Sequence, residues 1–158
     1  MVKQFSKTAI ATAVIAASFI SAQALAQRQL EEVIVTAQKM KQNVNDVSLT
    51  ISAYTQERMD ALGVKTIEDM GMTTPGLVVY DGGLGGTSAW TLRGVGFQDY
   101  STAASSTVGF YIDEVAIPFP VMMTGQIYDI SRVEVLKGPQ GDLYGRNTTA
   151  GQMSVYSN

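Results

Sequence analysis

The sequence predicts an α+β domain, with a small mixed sheet of about four strands, short helices and long loops. Residues 47–53 and 132–135 alternate apolar and polar side chains with a period of two, which is typical of strands. Residues 56–62 carry helix start and stop signals, and glycine clusters at 81–88 and 138–151 interrupt the regular pattern. A length of 158 residues and a hydrophobic content of 46% fit one globular domain.

The composition excludes several classes of function. The chain contains neither cysteine nor histidine, which removes disulfides, thiol and histidine catalysis, and the common zinc, haem and iron–sulfur ligand sets. It has no D-x-[DN]-x-[DN]-G loop for calcium. With a net charge of −3 and no basic stripe, nucleic acid is not an expected partner. We therefore expect no enzyme activity, no catalytic residue, no cofactor and no bound metal.

Residues 1–26 have the three parts of a secretory signal peptide. Lys3 and Lys7 form a basic start, residues 8–20 are apolar, and Ala24-Leu25-Ala26 fits the small-x-small cleavage rule. A membrane anchor is the alternative, but the apolar run is shorter than the roughly 20 residues that a spanning helix takes. We expect the chain to be exported and this segment to be removed.

A short β-branched run follows the predicted signal peptide. The run Glu31-Glu32-Val33-Ile34-Val35-Thr36-Ala37 is typical of an extended strand, and residues 38–46 after it are mostly polar. An ordinary edge strand is one interpretation. The other is a segment that stays unpaired and offers its backbone N–H and C=O groups to the edge of a partner's sheet.

Strands and short helices alternate in the first half of the domain. Residues 47–53 are predicted as a strand, with Thr55 and Gly63 as the caps of a helix over 56–62. A second short helix is expected after the capping-box pattern of Thr66 and Asp69, followed by a buried strand at 77–80. The apolar residues of the two helices are predicted to lie in the core: Met59, Leu62, Ile67 and Met70.

The middle of the chain is rich in glycine and polar residues. Residues 81–88 lack the Lys-Ser/Thr pair of a phosphate-binding loop, so nucleotide binding is not expected. Arg93 follows a predicted strand and precedes a glycine, so its side chain projects where the backbone turns. A local ion pair with an acidic neighbour such as Asp99 is one interpretation of that arginine. Residues 98–107 predict a loop, and residues 108–115 predict a strand and a turn.

The most specific pattern lies near the end of the chain. Residues 130–136 predict a strand, residues 138–151 a loop, and residues 153–156 the start of another strand. The density of glycine in the loop argues against a helix there. Such a loop between two sheet strands allows close approach of the backbone to another surface.

The run VEVLKGPQGDLYGRNTTAGQMSV resembles the end of the plug domain of TonB-dependent outer-membrane receptors. The matching positions are Arg132, Val133, Glu134, Val135, Leu136, Lys137, Gly138, Pro139, Gly141, Leu143, Tyr144, Gly145 and Gly151. The chain departs from the family pattern at Asp142, Ala150, Gln152, Ser154 and Tyr156. Arg93-Gly94-Val95-Gly96 is similar to the family's R-G-x-G element, and EEVIVTA is similar to its TonB box.

The resemblance implies a plug-like fold and three sets of site residues. The residues implied to bind TonB, the energy-coupling protein, are Glu32, Val33, Ile34, Val35, Thr36 and Ala37. Those implied to contact the outer-membrane β-barrel around the plug are Arg93, Glu134, Lys137 and Arg146. Those implied to contact the substrate are Phe97, Gln98, Asp99 and Tyr100. Lys137 stands where arginine is usual, which removes the forked geometry of a guanidinium group.

The function implied is that of a gating plug in an outer-membrane active transporter. Its partners would be TonB with the inner-membrane energising complex, the barrel, and a small-molecule substrate. The family mostly carries ferric siderophores, so a substrate of that type is expected, with cobalamin and glycans as the other cargoes. The expected location is the cell outer membrane.

The expected domain division is a signal peptide at 1–26, a TonB box and linker at 27–46, and a plug domain at 47–158. Each spanning strand of a barrel takes about 10 residues, and the sequence shows no series of alternating segments of that length. We therefore expect the chain to be truncated before a barrel. The alternative is a free-standing or truncated periplasmic plug that binds TonB and does not transport.

Overall fold

The computed structural model describes residues 33–80, 87–96, 99, 101, 103–125 and 128–158. The predicted signal peptide lies outside these residues, as do Glu32, Phe97, Gln98 and Tyr100. Residues Val33–Asn158 form one packed unit. None of the helices within the described ranges is long and apolar enough to cross a membrane.

Ten short strands and three short α-helices make up the described part of the chain. The strands are β1 (Ile34–Val35), β2 (Gln42–Asn43), β3 (Thr50–Thr55), β4 (Leu77–Tyr80), β5 (Ala89–Leu92), β6 (Val95–Gly96), β7 (Val108–Ile112), β8 (Val115–Ala116), β9 (Ile130–Lys137) and β10 (Gly151–Ser157). The helices are α1 (Gln56–Leu62), α2 (Met70–Thr73) and α3 (Gly141–Tyr144). Two 3₁₀ helices span Val44–Asp46 and Pro120–Met122.

The main sheet is mixed and has the strand order β3-β9-β10-β7-β8. Strands β7 and β10 run parallel, whereas the other neighbouring pairs of this sheet are antiparallel. Strands β4, β5 and β6 form a separate antiparallel sheet, and β1 pairs with β2. The predicted α+β class with a mixed sheet is confirmed. The main sheet has five strands instead of about four, because the turn at 113–114 returns the chain as the two-residue strand β8.

The two faces of the main sheet differ in character, because neighbours along a strand point to opposite faces. Val133 and Val135 of β9 point toward the main hydrophobic core and are fully buried. Strand β5 packs on this core, with the ring of Trp90 6.4 Å from that of Phe110. The buried residues of the main core are Tyr54, Met59, Val64, Ile67, Met70, Leu77, Trp90, Leu92, Val108, Phe110, Met123, Val133, Val135, Ala150, Met153 and Val155.

The opposite face carries polar side chains at its centre. Arg132, Glu134, Ser154 and Tyr156 lie on this face of the two central strands, with Glu134 directly across from Ser154. Glu134 and Ser154 are buried, although they face away from the main core. Residues 33–37 and Tyr144 contribute to the covering of this face.

The helix over 56–62 begins and ends at the predicted residues. The Thr55 hydroxyl oxygen accepts a hydrogen bond from the Arg58 N–H at 3.4 Å, and Gly63 has the left-handed φ of 72°. The capping residues of the next turn also interact, since the Asp69 carboxylate accepts the N–H of Thr66 at 2.8 Å. The second helix, however, begins only at Met70, one turn later than the capping-box pattern predicts.

Three further local predictions were wrong. Leu62 is 43% exposed because it lies on the solvent-facing side of a helix that buries one face only, so it is not a core residue. In the strand at 77–80, Val78 and Tyr80 are exposed, because the strand has one buried face only. Residues 141–144 form a short helix within the glycine-rich loop, where Gly145 ends it with a φ of 75°.

Candidate functional site

The segment interpreted either as an ordinary edge strand or as an unpaired strand folds into a hairpin, which we call the N-terminal hairpin (residues 33–44). Ile34 and Val35 pair with Asn43 and Gln42, and the Val44 N–H donates to the Val33 carbonyl at 3.0 Å. The expectation of an unpaired strand is therefore wrong for this structure. The polar residues after 37 turn the chain back on itself, and one of them, Lys39, has a φ of 58°.

The N-terminal hairpin also packs on the sheet. Val35 and Ala37 are buried against Leu136 of β9, whereas the side chain of Ile34 is 50% exposed. Partly buried apolar residues complete this second cluster: Val33, Val44, Val47, Leu49, Ile51, Ala53 and Tyr144. Neighbouring apolar residues of the segment therefore have different environments, since Val35 lies against the sheet and Ile34 faces solvent.

A group of polar side chains binds Thr36, and we call it the Glu134 cluster (Thr36, Arg132, Glu134 and Tyr156). Glu134 Oε1 accepts the Thr36 N–H at 2.9 Å and the Arg132 Nε–H at 2.8 Å. The Thr36 hydroxyl donates to the Tyr156 hydroxyl at 2.6 Å, and Arg132 Nη2 donates to Thr36 Oγ1 at 3.1 Å. The Arg132 guanidinium carbon lies 3.7 Å from the centroid of the Tyr156 ring. Hydrogen bonds to ionised groups are stronger than neutral ones, so this cluster fixes the backbone of the segment.

The Glu134 carboxylate is unusual because it is fully buried. Its Oε1 atom accepts the hydrogen bonds of the cluster, while its Oε2 atom has no hydrogen-bond partner among the described residues. Next to it on β10, Gln152 Nε2 donates to Ser154 Oγ at 2.6 Å, and Gln152 Oε1 is likewise buried without a partner among them. Buried polar groups that are only partly satisfied lower the cost of separating the surfaces that enclose them.

Tyr144 anchors the next residue of the segment. Its hydroxyl donates to the Ala37 carbonyl at 3.0 Å, and its ring makes an edge contact with the Tyr111 ring at a centroid distance of 5.4 Å. Burial raises the pKa of the Tyr144 hydroxyl to about 12, so the hydroxyl remains a proton donor at neutral pH. A cavity of about 140 Å³ lies beside this contact, lined in part by Lys39 and Glu114.

The residues implied to contact a barrel lie in two different environments. Arg93 and Arg146 are exposed, and Arg93 has a φ of 53°. Lys137 is half-buried, and burial together with the nearby Arg93 guanidinium lowers the pKa of its ammonium group. Glu134 instead faces inward and forms, with Arg132, the single ion pair found among the described residues. The role of these four residues in contacting a barrel stays a prediction.

Of the four residues implied to contact a substrate, the structure describes Asp99. Its carboxylate accepts the N–H of Ser101 at 2.9 Å, a local contact within the loop. No salt bridge between Asp99 and Arg93 is present among the described residues. In the same part of the chain, no cluster of three or more potential metal ligands is found.

The sequence interpretation missed Arg132, Tyr144 and Tyr156 as site residues. A signal for two of them was present, because strands β9 and β10 place polar residues opposite one another in register. A strand that is apolar on one face and polar on the other is normally exposed on its polar face. Here the N-terminal hairpin covers that face, which the local pattern could not indicate.

Comparison with known proteins assigns the fold to a family. The family described as TonB-dependent Receptor Plug Domain matches residues 43–152. The pesticin receptor of Yersinia pestis is 33% identical over 136 residues, which is 82% of this chain and 19% of that protein. The vitamin B12 transporter BtuB of Photobacterium profundum is 29% identical over 128 residues, covering 77% of this chain and 20% of the transporter.

Solved structures agree with these relatives. The ferric yersiniabactin uptake receptor FyuA of Yersinia pestis superposes with a TM-score of 0.63 at 26% identity, covering 70% of this chain and 17% of the receptor. The ferripyoverdine receptor of the outer membrane of Pseudomonas aeruginosa has a TM-score of 0.61 at 20% identity, covering 80% of this chain and 16% of that receptor, and so shows the fold alone. The chain thus spans about a fifth of the length of these relatives. From the sheet topology and these matches, we conclude that the chain belongs to the plug-domain family of TonB-dependent receptors.

Proposed function

We propose that this plug domain gates an outer-membrane active transporter and couples it to TonB through residues 32–37. The observation that carries the proposal is the position of residues 33–37, an extended segment held on the plug sheet by a few hydrogen bonds and by the packing of Val35 and Ala37. A segment of this kind can be detached and paired with another protein's sheet without unfolding the main core, which lies on the opposite face. The domain would act by binding and gating and not by catalysis.

The proposed partners follow from the same role. They are TonB with its inner-membrane energising complex, a β-barrel around the plug, and a small-molecule substrate. We propose a ferric siderophore as the substrate class, supported by a relative whose name refers to ferric yersiniabactin uptake. Export would depend on residues 1–26, with residues 27–46 as box and linker, residues 47–158 as the plug, and the cell outer membrane as the location.

Three cations of the plug fit contact with an acidic barrel wall. Arg93, Lys137 and Arg146 form no salt bridge among the described residues. Burial and, to a smaller extent, the nearby Arg93 guanidinium lower the pKa of Lys137. An acidic group close to both side chains would be stabilised by two positive charges. We propose these three residues as barrel contacts, whereas Glu134 serves within the plug.

Binding to TonB tests the proposal directly. A Val35→Pro variant lacks the N–H donor at position 35 and has a fixed φ, so pairing with a partner strand should be lost. We expect titration calorimetry with the periplasmic portion of TonB to show binding by the wild-type chain and none by this variant. Val35→Ala keeps the N–H donor, and comparison with it separates loss of the donor from loss of the side chain. Equal TonB affinity of Val35→Pro and the wild type would refute the assignment of residues 32–37.

A further inference from the structure

A cavity of about 140 Å³ lies where the N-terminal hairpin, the main sheet and α3 meet. Its lining includes Thr36, the buried Ser154 of β10, and the rings of Tyr111, Tyr144 and Tyr156. An engineered protein cavity of about 150 Å³ holds a benzene molecule. The space therefore accommodates the apolar part of a small molecule, with about six heavy atoms.

Two charged side chains of opposite sign line the same cavity. Lys39 belongs to the turn of the N-terminal hairpin and Glu114 to the turn between β7 and β8, and both residues are exposed. The Lys39 Nζ atom lies 5.4 Å from the centroid of the Tyr144 ring, which is part of the cavity wall. Within the described ranges, no salt bridge joins Lys39 to Glu114. Each charge can therefore bind a group of a molecule that enters the cavity.

The backbone at both charged residues has a conformation that favours glycine. Lys39 has a φ of 58° and Glu114 a φ of 67°. Residues with a side chain rarely adopt this left-handed region, and those that do are concentrated at binding and active sites. Glycine would fit either turn without strain. A charged side chain at each position therefore points to a use for that side chain.

The Ser154 hydroxyl offers a buried hydrogen-bond donor to the cavity. Ser154 is 3% exposed, and its Oγ atom accepts a hydrogen bond from Gln152 Nε2 at 2.6 Å. Its own proton is donated to no group in the part of the chain that the structure describes. Because buried donors normally have an acceptor, an oxygen atom of a bound molecule would complete this contact.

The lining suits a molecule that has an ammonium group, a carboxylate and an apolar part. Oppositely charged groups form charge-assisted hydrogen bonds, which are stronger than neutral ones. Aromatic rings offer a large apolar contact surface beside these polar groups. A free α-amino acid has all three features, whereas the end of a peptide chain has only one of the two charges.

We propose that this cavity binds a free α-amino acid with an apolar side chain. Glu114 binds the ammonium group of the ligand, Lys39 and the Ser154 hydroxyl bind its carboxylate, and Tyr111 and Tyr144 contact its side chain. This inference goes beyond the proposed function, because it assigns a ligand to the plug itself and depends neither on TonB nor on a barrel.

Leucine and two of its analogues test the class of ligand. 3-Methylbutylamine is leucine without the carboxylate, and 4-methylpentanoate is leucine without the ammonium group. Titration of the full chain, followed by NMR of the backbone amides, locates each ligand and measures its affinity. We expect leucine to shift the amide signals of Glu114, Tyr144 and Ser154. It should bind roughly tenfold more tightly than either analogue, the factor that corresponds to the loss of one hydrogen bond between charged groups.

Two variants remove the charges that line the cavity. Glu114→Gln and Lys39→Asn should each weaken leucine binding by roughly tenfold. Their matched controls, Glu57→Gln and Lys41→Asn, make the same changes at exposed positions outside the cavity lining and should bind leucine as the wild type does. Fluorescence of Trp90, which is buried in the main core, reports that each variant is folded.

A further variant separates the role of the Glu114 carboxylate from the conformation of its turn. Glu114→Gly relieves the left-handed strain and should still lose the same leucine affinity. Weaker leucine binding in the cavity variants alone supports the inference. It is overturned if leucine does not bind, if leucine binds no better than either analogue, or if the cavity variants keep the wild-type affinity. None of these measurements involves TonB, so the proposed function is tested separately by Val35→Pro.

Discussion

At the scale of single residues, two glycines near the Glu134 cluster have positive φ for different reasons. Gly145 has a φ of 75° and open space around it, so only the backbone conformation requires glycine. Gly151 has a φ of 148°, and a Cβ atom there would lie 2.3 Å from the Leu136 carbonyl oxygen and 2.5 Å from Leu92 Cδ2. Gly151 therefore lets β10 approach β9 and β5 closely.

This difference predicts unequal effects of the same substitution. Gly151→Ala should lower the free energy of unfolding by about 3 kcal/mol or more, because strain and overlap with a rigid backbone oxygen add together. Gly145→Ala should cost about 1 kcal/mol, from backbone strain alone. Urea unfolding of both variants measures the difference, and equal costs would contradict the tight approach at Gly151.

At the scale of elements, the turn before α2 depends on one carboxylate. Asp69 accepts the N–H groups of Lys65 and Thr66, at 2.9 Å and 2.8 Å, and donates its own N–H to the Thr66 hydroxyl at 3.3 Å. The hydrogen bonds from the Lys65 and Thr66 backbones lower the pKa of Asp69 from 3.8. The turn brings Ile67 and Met70 into the core in the correct orientation.

The lowered pKa of Asp69 fixes the pH dependence of its contribution. Because the folded-state pKa lies below the unfolded value, the carboxylate stabilises the fold above pH 3.8, and this stabilisation is lost as the pH falls through the folded pKa. Asp69→Ala should cost about 1 kcal/mol at pH 7, as for other caps. The difference in melting temperature between Asp69→Ala and the wild type, measured by thermal unfolding, should be smaller at pH 3 than at pH 7. A difference that is constant with pH would mean that the charge is unimportant.

At the scale of the whole molecule, the main sheet separates the main hydrophobic core from the N-terminal hairpin, which covers its other face. One face buries Val133, Val135 and Met153 in the main core, whereas the other buries Glu134 and Gln152 under the N-terminal hairpin. The first face is held by apolar packing, and contact with water cannot replace these apolar contacts. The second is held by the hydrogen bonds of the Glu134 cluster together with the smaller apolar cluster around Val35, Ala37 and Leu136.

Cell fractionation tests the proposed function at this scale. We expect the gene product to be found in the outer membrane as a species several-fold heavier than 16.9 kDa, since the chain spans about a fifth of its relatives' length. The measurement is the intact mass and membrane fraction of the product in its own cells. A soluble periplasmic species with the mass of residues 27–158 would instead indicate a plug that binds TonB without transporting.

The sequence predicted those features that depend on neighbours along the chain. The caps Thr55 and Gly63 were placed correctly because a helix end is decided within one turn. Leu62 was placed wrongly because its burial depends on which face of α1 meets the sheet. The contact of Thr36 with Glu134 joins residues 98 positions apart, so no local spacing could have indicated it. The mixed α+β class was predictable because it depends on the alternation of apolar and polar residues and on the density of glycine. Neither pattern changes when the burial of a single residue is predicted wrongly.

The strand order has a consequence for how the chain acquires its structure. The central strands β9 and β10 come from the last part of the sequence, so β3 finds its only neighbour in the main sheet after most of the chain has been made. Pairing of this kind has a high contact order, which slows folding. A nascent chain that ends before residue 130 cannot form the main sheet. We therefore expect the polypeptide to remain unfolded, and competent for passage through a membrane channel, until its final strands are available.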